Sequence, residues 1–204
     1  MTPEKNRTRL LFALLLAPAL TAACSGILSS GEPPRQTYLL EPLESTGGTG
    51  TGAPLSLSIS SIPGLDTDRI LAVATDNRLN HYANARWSDN LPDVLSSVVR
   101  RSLDASGRFR SVAISQRAPE DGWSARLEIE QFFGRQNADG ETTSVSASMS
   151  GTISCNDGDF RLSLSESVPV SAQRLSAVVA AHQAALDGLT RQLMDGIDRN
   201  CPET

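Results

Sequence analysis

The sequence predicts an α+β domain, a mostly antiparallel β-sheet with two long amphipathic helices packed on one face. Three observations carry that expectation. Leu55–Ser60, Trp123–Phe133 and Thr143–Cys155 alternate apolar and polar residues, the period of a half-buried strand. Ser88–Ser106 and Ala172–Arg199 instead place their apolar residues at helical spacing. Between the strand segments stand Asp76-Asn77 and Asn156-Asp157-Gly158, the residue types of tight hairpin turns.

Taken in order, Thr37–Glu41 (TYLLE) reads as a short strand and Ser45–Ala53 (STGGTGTGA) as a loop. Its GxG has no strand-to-helix context, so it does not read as a nucleotide site. Leu55, Leu57 and Ile59 alternate with serines, and Ile70–Thr75 with Arg78–Tyr82 form a hairpin about Asp76-Asn77. In the first helix Leu91, Val94, Leu95, Val98 and Leu103 share one side. Ser88 is the expected N-cap, Pro92 fits the first turn, Trp87 can staple that turn, and Gly107 ends the helix.

A meander of three strands follows. Trp123, Ala125, Leu127, Ile129 and Phe133 are expected on the buried face, as are Val145, Ala147, Met149, Gly151, Ile153 and Cys155. Opposite the second set, in Thr143–Cys155, runs an almost unbroken row of Ser and Thr. Phe160, Leu162 and Leu164 continue the pattern. The last helix carries the stripe Leu175, Val178, Val179, His182, Leu186, Leu189, Leu193 and Ile197. At 1.5 Å per residue it spans about 40 Å.

The N-terminus sets the compartment. Lys5, Arg7 and Arg9 precede the apolar run Leu10–Leu20, whose eleven residues reach only about half of a 30 Å hydrocarbon core. Residues 1–23 therefore read as a signal peptide. Thr21-Ala22-Ala23-Cys24 resembles the bacterial lipobox, so Cys24 is the expected lipidation site, with cleavage and simple secretion as the alternative. Two or three acyl chains give a stable anchor where one does not. Ser25 in place of an Asp retention signal points to the outer membrane. Residues 24–36 read as the lipidated N-terminus and tether, and 37–204 as the folded domain.

Removing the net +2 of residues 1–23 from a chain of −5 leaves −7. With Lys5 as the single lysine and only 4% aromatics, nucleic-acid binding has no basis. Beyond Cys24 the cysteines are Cys155 and Cys201, a disulfide candidate in an oxidising compartment, two free thiols being the alternative. The strand order supports the bridge, because the last helix should return its end to the Cys155 end of the sheet. No Cys/His cluster points to a metal, and no cofactor is expected beyond the lipid on Cys24.

The stretch Pro63–Leu91, PGLDTDRILAVATDNRLNHYANARWSDNL, resembles the ABC-type transport auxiliary lipoproteins, the family of the paraquat-inducible protein C lipoproteins. Pro63, Leu65, Asp66, Ile70, Asn77, Leu79, Arg86 and Trp87 carry the likeness, with Tyr38 and Leu40 upstream and the Ala-rich end AAHQAALDGLTRQLMDGI. The resemblance implies a non-catalytic outer-membrane component that docks or completes a periplasmic lipid conduit. Its implied partners are an MCE-domain periplasmic protein, the ABC permease and ATPase, and the membrane through the acyl chains; self-association is left open. Asp66, Asn77, Arg86 and Trp87 become the candidate partner contacts or family-motif residues, against structural roles as turn former, hairpin residue and staple. An enzyme has little to stand on, since no Gly-x-Ser-x-Gly elbow occurs and His81 and His182 are the only histidines. An envelope-assembly lipoprotein serving lipopolysaccharide export or secretion is the competing class.

Overall fold

The strand Trp123–Gln136 organises the domain. The computed structural model describes residues 35–44, 50 and 52–201. The expected signal peptide, Cys24 and nearly all of the tether lie outside the described residues. Among the described residues eight strands form one sheet: β1 (Gln36–Tyr38), β2 (Leu55–Ser61), β3 (Arg69–Val73), β4 (Leu79–Trp87), β5 (Val112–Ile114), β6 (Trp123–Gln136), β7 (Thr142–Cys155) and β8 (Gly158–Pro169). Helix α1 (Leu91–Ala105) lies between β4 and β5, and α2 (Leu175–Asn200) follows β8.

One edge of β6 pairs with β7 along its length, and β7 pairs with β8. The other edge is shared end to end. Ser61↔Ile129 closes the β2 ladder, and Ala72↔Gly134 with Val73↔Arg135 forms the β3 contact. Strand β5 extends β2 outward, while β4 and β1 extend β3.

The sheet is mixed, which corrects the expected mostly antiparallel arrangement. Four of the seven strand pairings are parallel (β1–β4, β2–β5, β2–β6 and β3–β6). Antiparallel pairing is confined to the β3–β4 hairpin and to β6–β7–β8. Alternation fixes which face a residue takes but not the direction of the neighbouring strand. A chain that leaves β2, makes a hairpin and α1, and then returns to β6 arrives parallel.

The apolar face is covered by both helices, α1 against β2 and β5, α2 against β6, β7 and β8. Register aligns the core in rows: Leu57↔Ala125↔Ile153, Ile59↔Leu127↔Gly151, and Ile129↔Met149↔Leu164. A second correction concerns Phe133. A bulge between Ile129 and Gln131 shifts the parity of β6 by one residue. Phe132, not Phe133, therefore enters the core with 1% of its surface exposed. Phe133 turns to the other face, under the Arg135 guanidinium at 4.9 Å.

The expected cap at Ser88 is also corrected. The helix begins after Asn90, which makes no side-chain cap, and the Leu91 N–H donates to the Thr67 carbonyl at 3.0 Å. A backbone acceptor from a neighbouring loop does the work expected of a side chain. Cys155 and Cys201 are joined by a disulfide with Cα atoms 5.9 Å apart, tying the end of α2 to the end of β7.

Candidate functional site

The stretch Pro63–Leu91 folds into a junction between β4 and α1. The loop after β2 runs beneath it: Asp68 accepts the Trp87 N–H at 2.7 Å, and Thr67 accepts that of Leu91. Strand β4 reaches the junction through a kink. Arg69 faces Arg86 but Leu71 faces His81, so β4 holds three more residues than β3 over that interval. Asn84 takes a left-handed φ of 57° inside it, a conformation that Asn tolerates better than most residues.

The kink aims Arg86 and Trp87 to opposite sides. Arg86 is exposed, 3.7 Å from the Asp68 carboxylate and 3.4 Å from the Thr37 hydroxyl. Trp87 is 1% exposed and packs on Phe132 and His182, with ring centroids 6.1 and 5.4 Å away. It anchors the core between sheet and α2, a deeper role than a staple on the first turn of α1. Asn77 occupies the β3–β4 turn at φ 63°, and Asp66 is exposed in the loop. The four motif residues do not converge on one spot. Asp66 and Arg86 belong to the junction surface, Trp87 lies beneath it, and Asn77 sits at the hairpin tip.

His182 is fully buried. Its Nδ1 lies 2.9 Å from the Val178 carbonyl, which can only accept, so Nδ1 carries the proton. Nε2 has no hydrogen-bond partner among the described residues. Burial drives the imidazole pKa down to about 4, with the Val178 carbonyl opposing. This histidine is neutral, and its ring stands edge-on to Trp87. His81 is exposed on β4, so the two histidines share no site.

Beside the junction the chain that enters the domain is strapped over both helices. Strand β1 pairs with the end of β4, Thr37↔Arg86 and Tyr38↔Trp87. Leu40 then buries its side chain, while Leu39 stays 62% exposed. Gln183 of α2 donates to the Glu41 carbonyl and accepts the Glu41 N–H, at 3.0 and 2.8 Å. Ser102 of α1 accepts the Leu43 N–H at 2.9 Å. Between this strap and α1 opens a cleft of about 250 Å³ lined by Leu39, Glu41, Ser88, Val94, Val98 and Arg101, among others. Its floor is aliphatic and its rim carries one carboxylate and one guanidinium. Such a cleft can seat a group with an apolar and a polar part.

A family description matches residues 38–194, that of the ABC-type transport auxiliary lipoprotein component. The chain belongs to that family. The match takes in the strap from Tyr38 onward, the junction and most of α2. A search of curated proteins finds no match. Among solved structures the chain is similar to protein XCC0632 from Xanthomonas campestris, a DUF330 protein, at 20% identity and a TM-score of 0.66. That likeness covers 79% of this chain and 94% of the other. An uncharacterized protein is similar at 14% identity and the same TM-score, over 81% and 99% of the two chains. At these identities the structural likenesses show the fold alone.

Thr37–Glu41 reads as a short strand and Tyr38 and Leu40 as motif residues, but the cleft between this segment and the outer side of α1 was not singled out in the sequence. The adjacent Leu39-Leu40 pair was a legible hint, because an extended chain over a core can bury only one of two neighbours. Among the described residues no group of three or more His, Cys, Asp or Glu is placed to hold a metal, and no helix is long and apolar enough to cross a membrane.

Proposed function

We propose that this protein is a non-catalytic, lipid-anchored outer-membrane component of an MCE/ABC-type lipid transport system. In this reading it docks, or completes, a periplasmic conduit between the two membranes. The family assignment over residues 38–194 carries the reading. The way the chain enters the domain agrees with it. Ten residues separate Cys24 from Arg35, a reach of at most about 36 Å when extended. An acyl anchor on Cys24 would therefore hold the junction and its cleft close to the membrane. The partner would then meet exposed Arg86, Asp66 and Leu39.

The test is crosslinking in intact envelope, recovery of the acylated full chain, and mass spectrometry of what comes with it. An MCE-domain protein is the expected partner. Recovery of lipopolysaccharide-export or secretion components in its place would overturn the reading. Arg86→Glu should lower recovery of the partner at least several-fold with the melting temperature nearly unchanged. Arg86 is exposed and its one ion pair is a surface pair, worth about 1 kcal/mol or less. Unchanged recovery would remove Arg86 from the interface.

A further inference from the structure

Among the described residues strand β8 is an edge strand of twelve residues, paired only with β7. A long free edge presents a row of unpaired N–H and C=O groups on which another chain can add a strand. Because backbone direction alternates along a strand, the groups of Arg161, Ser163, Ser165 and Ser167 point to the same side. That side is the outer edge, because Ser165 bonds there to a side chain and not to β7. The Gln192 carboxamide of α2 accepts the Ser165 N–H at 3.1 Å and donates to the Ser165 carbonyl at 3.0 Å. It reproduces the two hydrogen bonds that a neighbouring strand would make.

The local structure is built to bring that amide to the edge. Gly188 and Gly196 lie one turn to either side of Gln192. A Cβ at Gly188 would sit 2.4 Å from the Glu166 carboxylate, and one at Gly196 would sit 2.8 Å from Leu162. The two glycines let α2 settle on β8, and Glu166 holds the Gln192 amide from a third direction at 2.6 Å. The same device recurs on the opposite flank of the helix. Gln183 grips the Glu41 backbone with the same reciprocal pair, nine residues or two and a half turns away.

We propose that Gln192 is an edge guard: its carboxamide occupies the outer edge of β8 at Ser165 and prevents a second copy of this chain from adding its own β8 there. The plug sits near the middle of the strand and leaves two short free pieces on either side. Among the described residues no hydrogen bond reaches the outward groups of Arg161, Ser163 or Ser167. These pieces are further defended by the Arg161 charge and by Pro169 at the strand end, both unfavourable at a pairing edge.

Two measurements test this. In the wild-type full chain, residue-resolved amide exchange should show Ser165 at least tenfold slower than Ser163 and Ser167. Equal rates at the three amides would overturn the guard without any variant. Native mass spectrometry of the full chain released from detergent then compares Gln192→Ala and Gln192→Leu with wild type across concentration. Either variant, with native circular dichroism, should double its mass relative to wild type as concentration rises, and Ser165 should regain its protection in the doubled species. Adding Ser165→Pro should return the mass to that of wild type, since proline removes the edge donor without touching the β7 ladder. Masses that track wild type throughout would overturn the proposal. So would association that survives Ser165→Pro, because the contact would then be a nonspecific one through exposed core.

Discussion

The two faces of the β6–β8 sheet are built by opposite means. On one, Leu127, Ile129, Phe132, Val145, Met149, Ile153 and Leu164 are buried under α2, with the His182–Trp87 contact at the centre. On the other, Ser144, Ser146, Ser148, Ser150, Thr152 and Ser154 of β7 run between the residues of β6 and Ser163, Ser165 and Ser167 of β8, with no helix of the described residues over them. The β7 serines are half-buried and those of β8 exposed, and the β7 row meets polar side chains of β6: Arg135 donates to the Ser146 hydroxyl and Ser150 donates to the Glu130 carboxylate. The covered face should therefore hold nearly all of the stability, and the serine face should tolerate change. A single pair of neighbours tests this most directly. Phe132→Ala should cost about 3–5 kcal/mol by leaving a cavity beside Trp87 and His182. Phe133→Ala, one residue away on the other face, should cost about 1 kcal/mol, for it loses only a half-exposed ring under Arg135. Equal losses in denaturant titrations would break the comparison.

That pair also shows where the sequence stopped being legible. Alternation placed Trp123, Ala125, Leu127 and Ile129 on the correct face, because side-chain period is a local property. It failed beyond the bulge, because nothing in Glu130-Gln131-Phe132-Phe133 announces an extra residue; both aromatics suit either parity. The β3–β4 turn was legible from Asp76-Asn77, since Asn tolerates the left-handed conformation seen at Asn77. The parallel pairing of β2 with β6 was not, because sixty-odd residues separate partners such as Leu57 and Ala125 and strand direction depends on the whole route between them. The junction was recognisable as a string of motif residues. The strap was legible as the strand Thr37–Glu41 with Tyr38 and Leu40, but its seating on the helices was not, because Glu41 and Leu43 are held through backbone groups, which leave no mark on residue identity.

The disulfide belongs to the covered face and should act there. It closes a loop of 46 residues, for which chain entropy alone predicts about 4 kcal/mol. Reduction, or Cys155→Ser with Cys201→Ser, should lower the denaturation midpoint accordingly. Amide exchange should rise first in the last turns of α2 and at the Cys155 end of β7. A rise spread equally over β2, β3 and β4 would show that the bridge supports the whole sheet and not the seat of α2.

His182 gives the covered face a pH dependence. Its pKa is about 4 in the folded chain against about 6.5 when unfolded. The unfolded chain therefore binds the proton first. The neutral ring's contribution is intact above pH 6.5 and is lost as the pH falls from 6.5 toward 4. Over that window the loss is on the order of 3 kcal/mol. His182→Leu should flatten that part of the stability profile whatever it does to the absolute value. A wild-type slope that persists in the variant would assign the acid sensitivity to other groups.

The smallest effect sharpens the comparison most, because it concerns two serines of opposite standing. Ser102 is fully buried, donates to the Val98 carbonyl at 2.9 Å and accepts the Leu43 N–H. Ser102→Ala leaves that N–H unsatisfied beneath the strap, at about 1–3 kcal/mol. Ser148 lies on the uncovered face, yet its hydroxyl oxygen is buried without a hydrogen-bond partner among the described residues. Ser148→Ala removes a hydroxyl whose desolvation nothing offsets. It should be neutral or stabilising by up to about 1 kcal/mol, which a domain of this size reads as a rise of about 2–4 °C in Tm. A clear fall in Tm would mean that the Ser148 hydroxyl has a partner on that face, and that the serine row holds something in place.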